Sequence, residues 1–113
     1  AAFLSVTAAL AYHREKLTPA VRSDCQARVG RFLAGMGSAF YPSQDWYCQL
    51  GAARLPEGTD VDRLKADLYA QHRIEIPVYR FADEPWIRMS SQAYNSDEEV
   101  DFLLEALRGF KLL

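Results

Sequence analysis

The segment from residue 86 to residue 107 constrains the fold of this chain most, because it encodes a strand, a turn and a helix in succession. Its first five residues are β-prone and alternate in direction, so they divide between the two faces of a strand. Trp86, Arg88 and Ser90 share one face, and Ile87 and Met89 share the other. The strand is therefore predicted to carry one charged side chain, Arg88, on the side away from its aliphatic residues.

A helix is predicted to begin at Ser96. This residue precedes Glu99 by three positions, which is the spacing of a capping box, where the hydroxyl and the carboxylate bind otherwise unpaired N–H groups. The acidic residues 97–99 also suit the positive end of a helix dipole. One apolar stripe follows at intervals of three and four residues, formed by Val100, Leu103, Leu104 and Leu107.

The first helix is predicted over residues 3–16. Its apolar side chains fall on one stripe that consists of Phe3, Val6, Leu10 and Leu17. The segment is shorter than the roughly 20 apolar residues that span a bilayer, and no basic region precedes it as in a signal peptide. We therefore interpret it as a buried helix and expect no contact with a membrane.

The remaining elements follow from capping residues, glycines, prolines and alternation. In chain order they are a second helix from Thr18 to Gly35 or Gly37, a strand over 46–55, a third helix from a Thr59 cap to His72 or Arg73, and strands over 74–79 and 86–90. Residues 81–85 should turn the chain between the last two strands, which makes them a hairpin.

These elements predict an α+β fold, in which a three-stranded, largely antiparallel sheet carries four helices mainly on one face. Residues 1–113 are expected to form a single domain, and the lack of an initiator methionine suggests a piece of a larger protein. The open face of the sheet should be rich in aromatic residues, which suits a partner surface. Its predicted members are Trp86, Arg88, Ser90, Tyr79, Tyr47 and Gln49.

Charge and cysteine content exclude several classes of function. The chain has 13 basic and 15 acidic residues without a basic run, so nucleic-acid binding is not expected. Cys25 and Cys48 fall on predicted apolar stripes, where cysteine is usually a small buried residue, and neither a disulfide nor a zinc site is indicated. We therefore expect the protein to lie in a reducing cytoplasm. His13 and His72 lie at charged helix ends and are not predicted to be catalytic.

Arg88 is the candidate functional residue, and the pattern leaves two interpretations open. In the first, Arg88 pairs with Glu75 or another surface acid. In the second it is an anion clamp, because a planar guanidinium held on a strand between aromatic side chains suits bidentate binding of a carboxylate.

Two runs of this sequence resemble a known family. Residues 88–96 (RMSSQAYNS), followed by an acidic helix and preceded by residues 73–78 (RIEIPV), look like the C-terminal end of class V aminotransferase-fold enzymes. These are pyridoxal-phosphate enzymes of fold type I, and the resemblance is closest to the isopenicillin N epimerase-like branch. Residues 3–10 resemble the family segment that follows the cofactor-lysine region, so the resemblance extends over most of the chain.

The resemblance implies the C-terminal small domain of a larger enzyme. Pyridoxal 5'-phosphate would belong to a large domain of the same protein, the substrate would be an amino acid, and the full-length protein would be a homodimer. The residue matching Arg88 binds the substrate's α-carboxylate in that family. Lys16, Lys65 and Lys111 match no cofactor lysine, so no catalytic residue and little cofactor binding are expected in this chain alone.

The resemblance also narrows the reaction without fixing it. Cysteine desulfurases of the family carry a nucleophilic cysteine in the loop before the arginine strand, and residues 79–85 contain none. Epimerase, lyase or transaminase chemistry therefore remains. Two alternatives stay open, namely a self-contained, non-enzymatic α+β module that binds a protein or a small carboxylate through its exposed sheet face, and a regulatory domain that senses an amino acid there.

Overall fold

The computed structural model describes residues 2–38 and 40–113. Its helices are α1 (Ala2–Lys16), α2 (Pro19–Gly35), a short 3-10 helix (Gln44–Trp46), α3 (Val61–His72) and α4 (Asp97–Gly109). Its strands are β1 (Leu50–Arg54), β2 (Val78–Phe81) and β3 (Glu84–Ser90). The predicted α+β class is confirmed. Among the residues described, none of the helices has the length and apolar character needed to cross a membrane.

The three strands form one antiparallel sheet in the order β1-β3-β2. The central strand is β3, so its backbone is paired on both sides: Ala53 and Val78 both lie opposite Ile87. The hairpin between β2 and β3 turns at Ala82 and Asp83, which both have positive φ angles, of 49° and 64°. Such a turn matches the twist of the two strands that it joins.

Helices α2, α3 and α4 build the core against one face of this sheet. The buried cluster consists of Val29, Phe32 and Leu33 of α2, Leu64 and Leu68 of α3, Val100, Leu103, Leu104, Ala106 and Leu107 of α4, Ala53, Val78, Ile87 and Met89 of the sheet, and Leu55 and Ile76 beside it. β1 approaches α2 closely, because a Cβ added to Gly51 would lie 2.7 Å from Cγ1 of Val29. The opposite face of the sheet carries no helix of this core.

α1 is a helix as predicted, but the prediction that it is buried is wrong in this chain. Every side chain from residue 3 to residue 16 is exposed. The sheet face that needs cover is already filled by α2, α3 and α4. The predicted apolar stripe of α1 therefore packs against no apolar surface of the described residues.

β1 starts at Leu50 and not at residue 46, because the preceding residues turn. The Ser43 hydroxyl accepts a hydrogen bond from the backbone N–H of Asp45, and the Gln26 side chain on α2 donates to the carbonyls of Gln44 and Tyr47, both at 2.9 Å. Those contacts favour a 3-10 turn over an extended strand.

Other element boundaries also differ from the prediction, including those at the hairpin, where β2 runs to Phe81 and β3 starts at Glu84. β2 starts at Val78, because Pro77 has no N–H to donate to the ladder. α3 is capped by Asp60, which accepts from the N–H of Arg63 at 3.0 Å, while the predicted cap Thr59 donates its hydroxyl to the carbonyl of Pro56. α3 ends at His72, and Arg73 follows in the left-handed conformation.

The capping box at the start of α4 is confirmed. Ser96 accepts from the N–H of Glu99 at 3.3 Å, and the Glu99 carboxylate accepts from the N–H of Ser96 at 3.1 Å. The side-chain amide of Asn95 also donates to Glu99. The Asn95 amide and then the Ser96 N–H hold the pKa of the Glu99 carboxyl below its ordinary value.

We expect Glu99→Gln to weaken the domain at neutral pH and to matter less in acid. Because the folded-state pKa of Glu99 is depressed, its ionised form stabilises the fold above the unfolded pKa near 4.5, and this contribution is lost as the pH falls through the lower folded value. The free energy of unfolding should fall by about 0.3–1 kcal/mol at pH 7, and the difference from the parent should shrink below about pH 4. Urea titrations of the 113-residue chain measure both values.

The matched control is Glu105→Gln, at an exposed position on the same helix. Its stability should follow the parent at every pH. A Glu99→Gln deficit that stays constant into the acid range would contradict the role given to the ionised carboxylate.

Candidate functional site

Arg88 lies at the centre of β3 and points to the face of the sheet opposite the core helices. Its backbone N–H donates to the carbonyl of Pro77 at 3.0 Å, and Ala52 of β1 is its direct cross-strand neighbour. The small Ala52 side chain leaves space beside the guanidinium. The backbone is held from both sides, so the position of Arg88 is set by the sheet and not by a loop.

The guanidinium of Arg88 has an unmet hydrogen-bonding requirement. Its Nε atom is buried and has no hydrogen-bond partner among the described residues. No described carboxylate lies within ion-pair distance either, so the pairing with Glu75 considered from the sequence is not formed in this part of the chain. A buried donor without an acceptor costs about 1–3 kcal/mol.

The open face is defined here as the side of the sheet that carries Arg88. Its members alternate with the core-facing residues of each strand, and they are Leu50, Ala52 and Arg54 of β1, Tyr79 and Phe81 of β2, and Glu84, Trp86, Arg88 and Ser90 of β3. Leu50 is 46% exposed and Phe81 is 67% exposed. The face is therefore partly apolar and only partly covered by the chain.

Trp86 is the one member of the open face that the sheet and the adjoining loop bury. It is 8% exposed, because the Phe40 ring packs edge-on against it at a centroid distance of 5.1 Å. The indole Nε1 is buried and, within the described part of the chain, has no hydrogen-bond partner. Arg54 and Glu84 form an ion pair at the same end of the face. Sequence reasoning placed Trp86 on this face but missed the cover from Phe40.

Two residues predicted for the open face lie elsewhere. The Tyr47 hydroxyl is 2.8 Å from the position that a Cβ of Gly30 would occupy, so this ring packs on α2. The Gln49 amide donates to the carbonyl of Ser91 and to the side chain of Gln92, both at 3.2 Å. Both differences follow from the orientation of β1, because Gly51 and Ala53, which the predicted alternation places on the same side as Tyr47 and Gln49, face the core helices.

The outer edge of β1 is partly closed by Tyr41. Its hydroxyl accepts a hydrogen bond at 3.0 Å from the backbone N–H of Ala52. The Tyr41 ring also contacts the rings of Phe40 and Tyr47 edge-on. This aromatic cluster fixes the strand opposite Arg88, and sequence reasoning did not find it, because loop aromatics carry no periodicity.

Arg88 does not line the cavities described in this structure. A cleft of about 290 Å³ lies between the end of α3 and the start of α4, and its walls include His72, Glu75, Ser90 and Glu99. His72 contacts the ring edges of Phe102 and Phe110, which gives it a packing role.

The other predicted candidates are dispersed. Cys25 is buried as expected, but Cys48 is exposed, because it follows the turn instead of lying in a strand. Lys16, Lys65 and Lys111 are exposed, on α1, on α3 and after α4 respectively. His, Cys, Asp and Glu form no group that suits a metal ion in the described ranges 2–38 and 40–113.

The fold first defines the class of protein. No family model matches the chain. Its structure is similar to part of a solved 8-amino-7-oxononanoate synthase from Francisella tularensis, with a TM-score of 0.59 and 15% identity, over 83% of this chain and 29% of that one. This likeness concerns the fold and supports an α+β small domain.

Sequence similarity then gives the particular relatives. Over 57 residues, half of the chain, it is 44% identical to an isopenicillin N epimerase of Amycolatopsis lactamdurans. Over 56 residues it is 41% identical to an isopenicillin N epimerase of Streptomyces clavuligerus. Each match spans only 14% of the relative's length. The predicted resemblance to isopenicillin N epimerases is thereby confirmed.

Proposed function

We propose that residues 1–113 are the C-terminal small domain of a larger pyridoxal-phosphate enzyme that acts on an amino acid. In this proposal the domain closes one side of the active site, and Arg88 binds the α-carboxylate of the substrate. The reaction is an epimerisation, an elimination or a transamination. The similarity to isopenicillin N epimerases over half of the chain supports the enzyme class.

One observation carries the role of Arg88. Its side chain stands on a sheet face free of core helices and makes no ion pair with a described carboxylate. A carboxylate on the open side of the sheet would accept from the two terminal nitrogens of the guanidinium, a paired geometry in which arginine binds carboxylates, because the buried Nε is covered by the chain's own atoms. It would neutralise the charge of the guanidinium.

The described residues do not themselves make a cofactor site. None of Lys16, Lys65 and Lys111 belongs to the open face, and that face has no helix N-terminus to hold a phosphate. In this proposal the cofactor is held by the large domain, where it would serve as an electron sink for carbanion chemistry. The role of this chain is to orient the substrate. A carboxylate fixed at Arg88 limits rotation of the substrate, which lowers the entropic part of the barrier.

The other parts of the proposal follow from the incomplete site. In this proposal the large domain supplies the other wall of the active site, and the full-length protein is a homodimer, as the family resemblance implies. A reducing cytoplasm suits the two unpaired thiols of Cys25 and Cys48. Sequencing the coding region upstream of Ala1 tests the domain organisation directly, because the proposal requires an open frame that encodes a lysine-bearing cofactor domain.

We expect Arg88→Lys in the full-length protein to lower kcat/KM by about tenfold to a hundredfold, because lysine keeps the charge and loses the paired donors, worth about 1.5–3 kcal/mol. Deuterium incorporation at Cα in D2O, measured by mass spectrometry over the common L- and D-amino acids, identifies the best substrate and gives its rate. The same assay on the corresponding amino-acid amide should show a low rate that Arg88→Lys does not lower further.

Arg54→Lys is the matched control, since Arg54 lies on the same face and is paired with Glu84. It should leave kcat/KM within about twofold, as for other exposed ion pairs. If the Arg88→Lys variant and the parent have the same kcat/KM on the carboxylate substrate, the proposal that Arg88 binds the carboxylate is wrong.

A further inference from the structure

The cleft between the end of α3 and the start of α4 has no part in binding the α-carboxylate, because Arg88 does not line it. Its volume of about 290 Å³ is close to that of the smaller ligand sites of proteins. Its floor is apolar and consists of side chains that the core buries, namely Ile76, Met89, Val100 and Leu103. The cleft therefore suits a short aliphatic chain.

Two carboxylates lie in the wall of this cleft. Glu75 is exposed, and neither it nor Glu99 takes part in the ion pairs of the described residues. Glu99 accepts its hydrogen bonds from Asn95 and Ser96 through Oε2, and within the described ranges no donor binds Oε1. Each carboxylate thus has an oxygen that can accept from a ligand.

The basic side chains beside the cleft are engaged elsewhere. The guanidinium carbon of Arg73 lies 5.7 Å from the centroid of the Tyr69 ring, at the distance of a cation–π contact. The His72 ring contacts the edges of Phe102 and Phe110. The wall therefore presents negative charge above an apolar floor, and an ammonium group on an aliphatic chain complements both.

Ser90 joins the cleft to the open face. It follows Arg88 by two residues on β3, lies opposite Leu50 on the open face, and also lines the cleft. Alternate residues of a strand are about 6.6 Å apart, and an extended chain of four carbons and a terminal nitrogen is about 6 Å long. In the other direction along the face, the Phe40 ring covers Trp86. A ligand held at Arg88 can therefore reach the cleft with its side chain.

We propose that this cleft binds the side chain of the substrate, and that Glu75 and Glu99 bind an ammonium group at its end. The inference rests on the proposed function, in which Arg88 binds the α-carboxylate. The substrate is then an α-amino acid with about four methylene groups and a terminal amine. Glu75 determines the specificity, and the methylene groups cover the apolar floor. An ammonium group has three donors, enough for both carboxylates.

A comparison of lysine with norleucine in the full-length protein tests this assignment, because the two have the same four side-chain carbons and norleucine lacks the amine. Deuterium incorporation at Cα gives kcat/KM. Lysine should exceed norleucine by about tenfold. Glu75→Gln should lower kcat/KM on lysine by about tenfold and leave norleucine within about twofold. Glu105→Gln, at an exposed position of α4 outside the cleft, should leave both within about twofold.

The results that overturn the assignment differ from those that overturn the Arg88 clamp. A best substrate with a neutral or acidic side chain, equal values for lysine and norleucine, or an unchanged preference in Glu75→Gln would each reject the role of the cleft. Arg88→Lys should lower both substrates by one factor, and unchanged values for both would reject the clamp alone.

Binding of a ligand without a carboxylate gives the second measurement. N,N-dimethylpentylamine is charged at neutral pH and, as a tertiary amine, cannot condense with an aldehyde. Its proton NMR signals in the presence of the full-length protein should show a dissociation constant of about 1–10 mM. Binding should be about tenfold weaker in Glu75→Gln and unchanged in Arg88→Lys and Glu105→Gln. Absent binding, or equal binding by the parent and Glu75→Gln, would overturn the proposal.

Discussion

Replacing Phe32 by alanine should lower the free energy of unfolding by about 3–5 kcal/mol, the largest effect that we expect from one substitution in this chain. Phe32 lies on α2, is 0% exposed and belongs to the cluster that α2 and α4 form against the sheet. Its removal loses the transfer free energy of the ring and leaves a cavity that the closely packed neighbours fill only partly. Urea denaturation of the 113-residue chain measures the loss.

The control for Phe32 is Phe102→Ala on α4. Phe102 is 49% exposed and contacts the edge of the His72 ring. Its truncation should cost about 1 kcal/mol or less, as is usual for surface positions. Because small domains have a total stability of about 5–15 kcal/mol, Phe32→Ala should also lower the melting temperature by at least about 10 °C. Equal losses for the two variants would show that the α2 cluster is not the core.

We expect Ile87→Ala to cost about 2–5 kcal/mol, the second-largest loss. Ile87 precedes Arg88 on β3 and points to the opposite side of the sheet, where it is 0% exposed. It lies between Ala53 and Val78 of the neighbouring strands, so its side chain joins both halves of the sheet to the helices. The same urea titration gives the change in free energy of unfolding.

Leu50→Ala is the control for Ile87, because Leu50 is an aliphatic residue of β1 that is 46% exposed on the open face. It should cost about 1 kcal/mol or less. Arg88→Lys should not lower the unfolding free energy, since the Arg88 side chain makes no described ion pair and its buried Nε has no described acceptor. Substitutions at two adjacent residues of one strand would then affect different properties. Ile87→Ala would lower the stability of the fold, and Arg88→Lys would lower kcat/KM. An Ile87→Ala chain as stable as the parent would contradict this division.

Local sequence signals correctly predicted the elements whose structure depends on interactions between residues that are close in the sequence. The capping box of Ser96 and Glu99 starts α4 where the spacing places it, and Thr18 caps α2. The hairpin before β3 and the alternation of residues 86–90 also hold, because turn conformation and strand alternation depend on near neighbours. The position of Arg88 away from the core follows directly from that alternation.

Distant contacts decided the rest. The Gln26 side chain, on α2, draws the carbonyls of Gln44 and Tyr47 into a turn, and this turn removes Tyr47 and Cys48 from their predicted places in a strand. Phe40 covers Trp86 from a loop that has no periodic pattern. No window of sequence contains both partners of such contacts, so their geometry was not available from local patterns.

The sequence by itself determined that this chain is an α+β domain whose central strand presents one arginine away from the core, because capping and alternation are local properties. Only the tertiary structure decided that Arg88 Nε lacks an acceptor and that the apolar side chains of α1 are uncovered. Both are statements about which surfaces meet. The apolar sides of α2, α3, α4 and the sheet pack against one another in the core, so these elements have no apolar side left to cover α1.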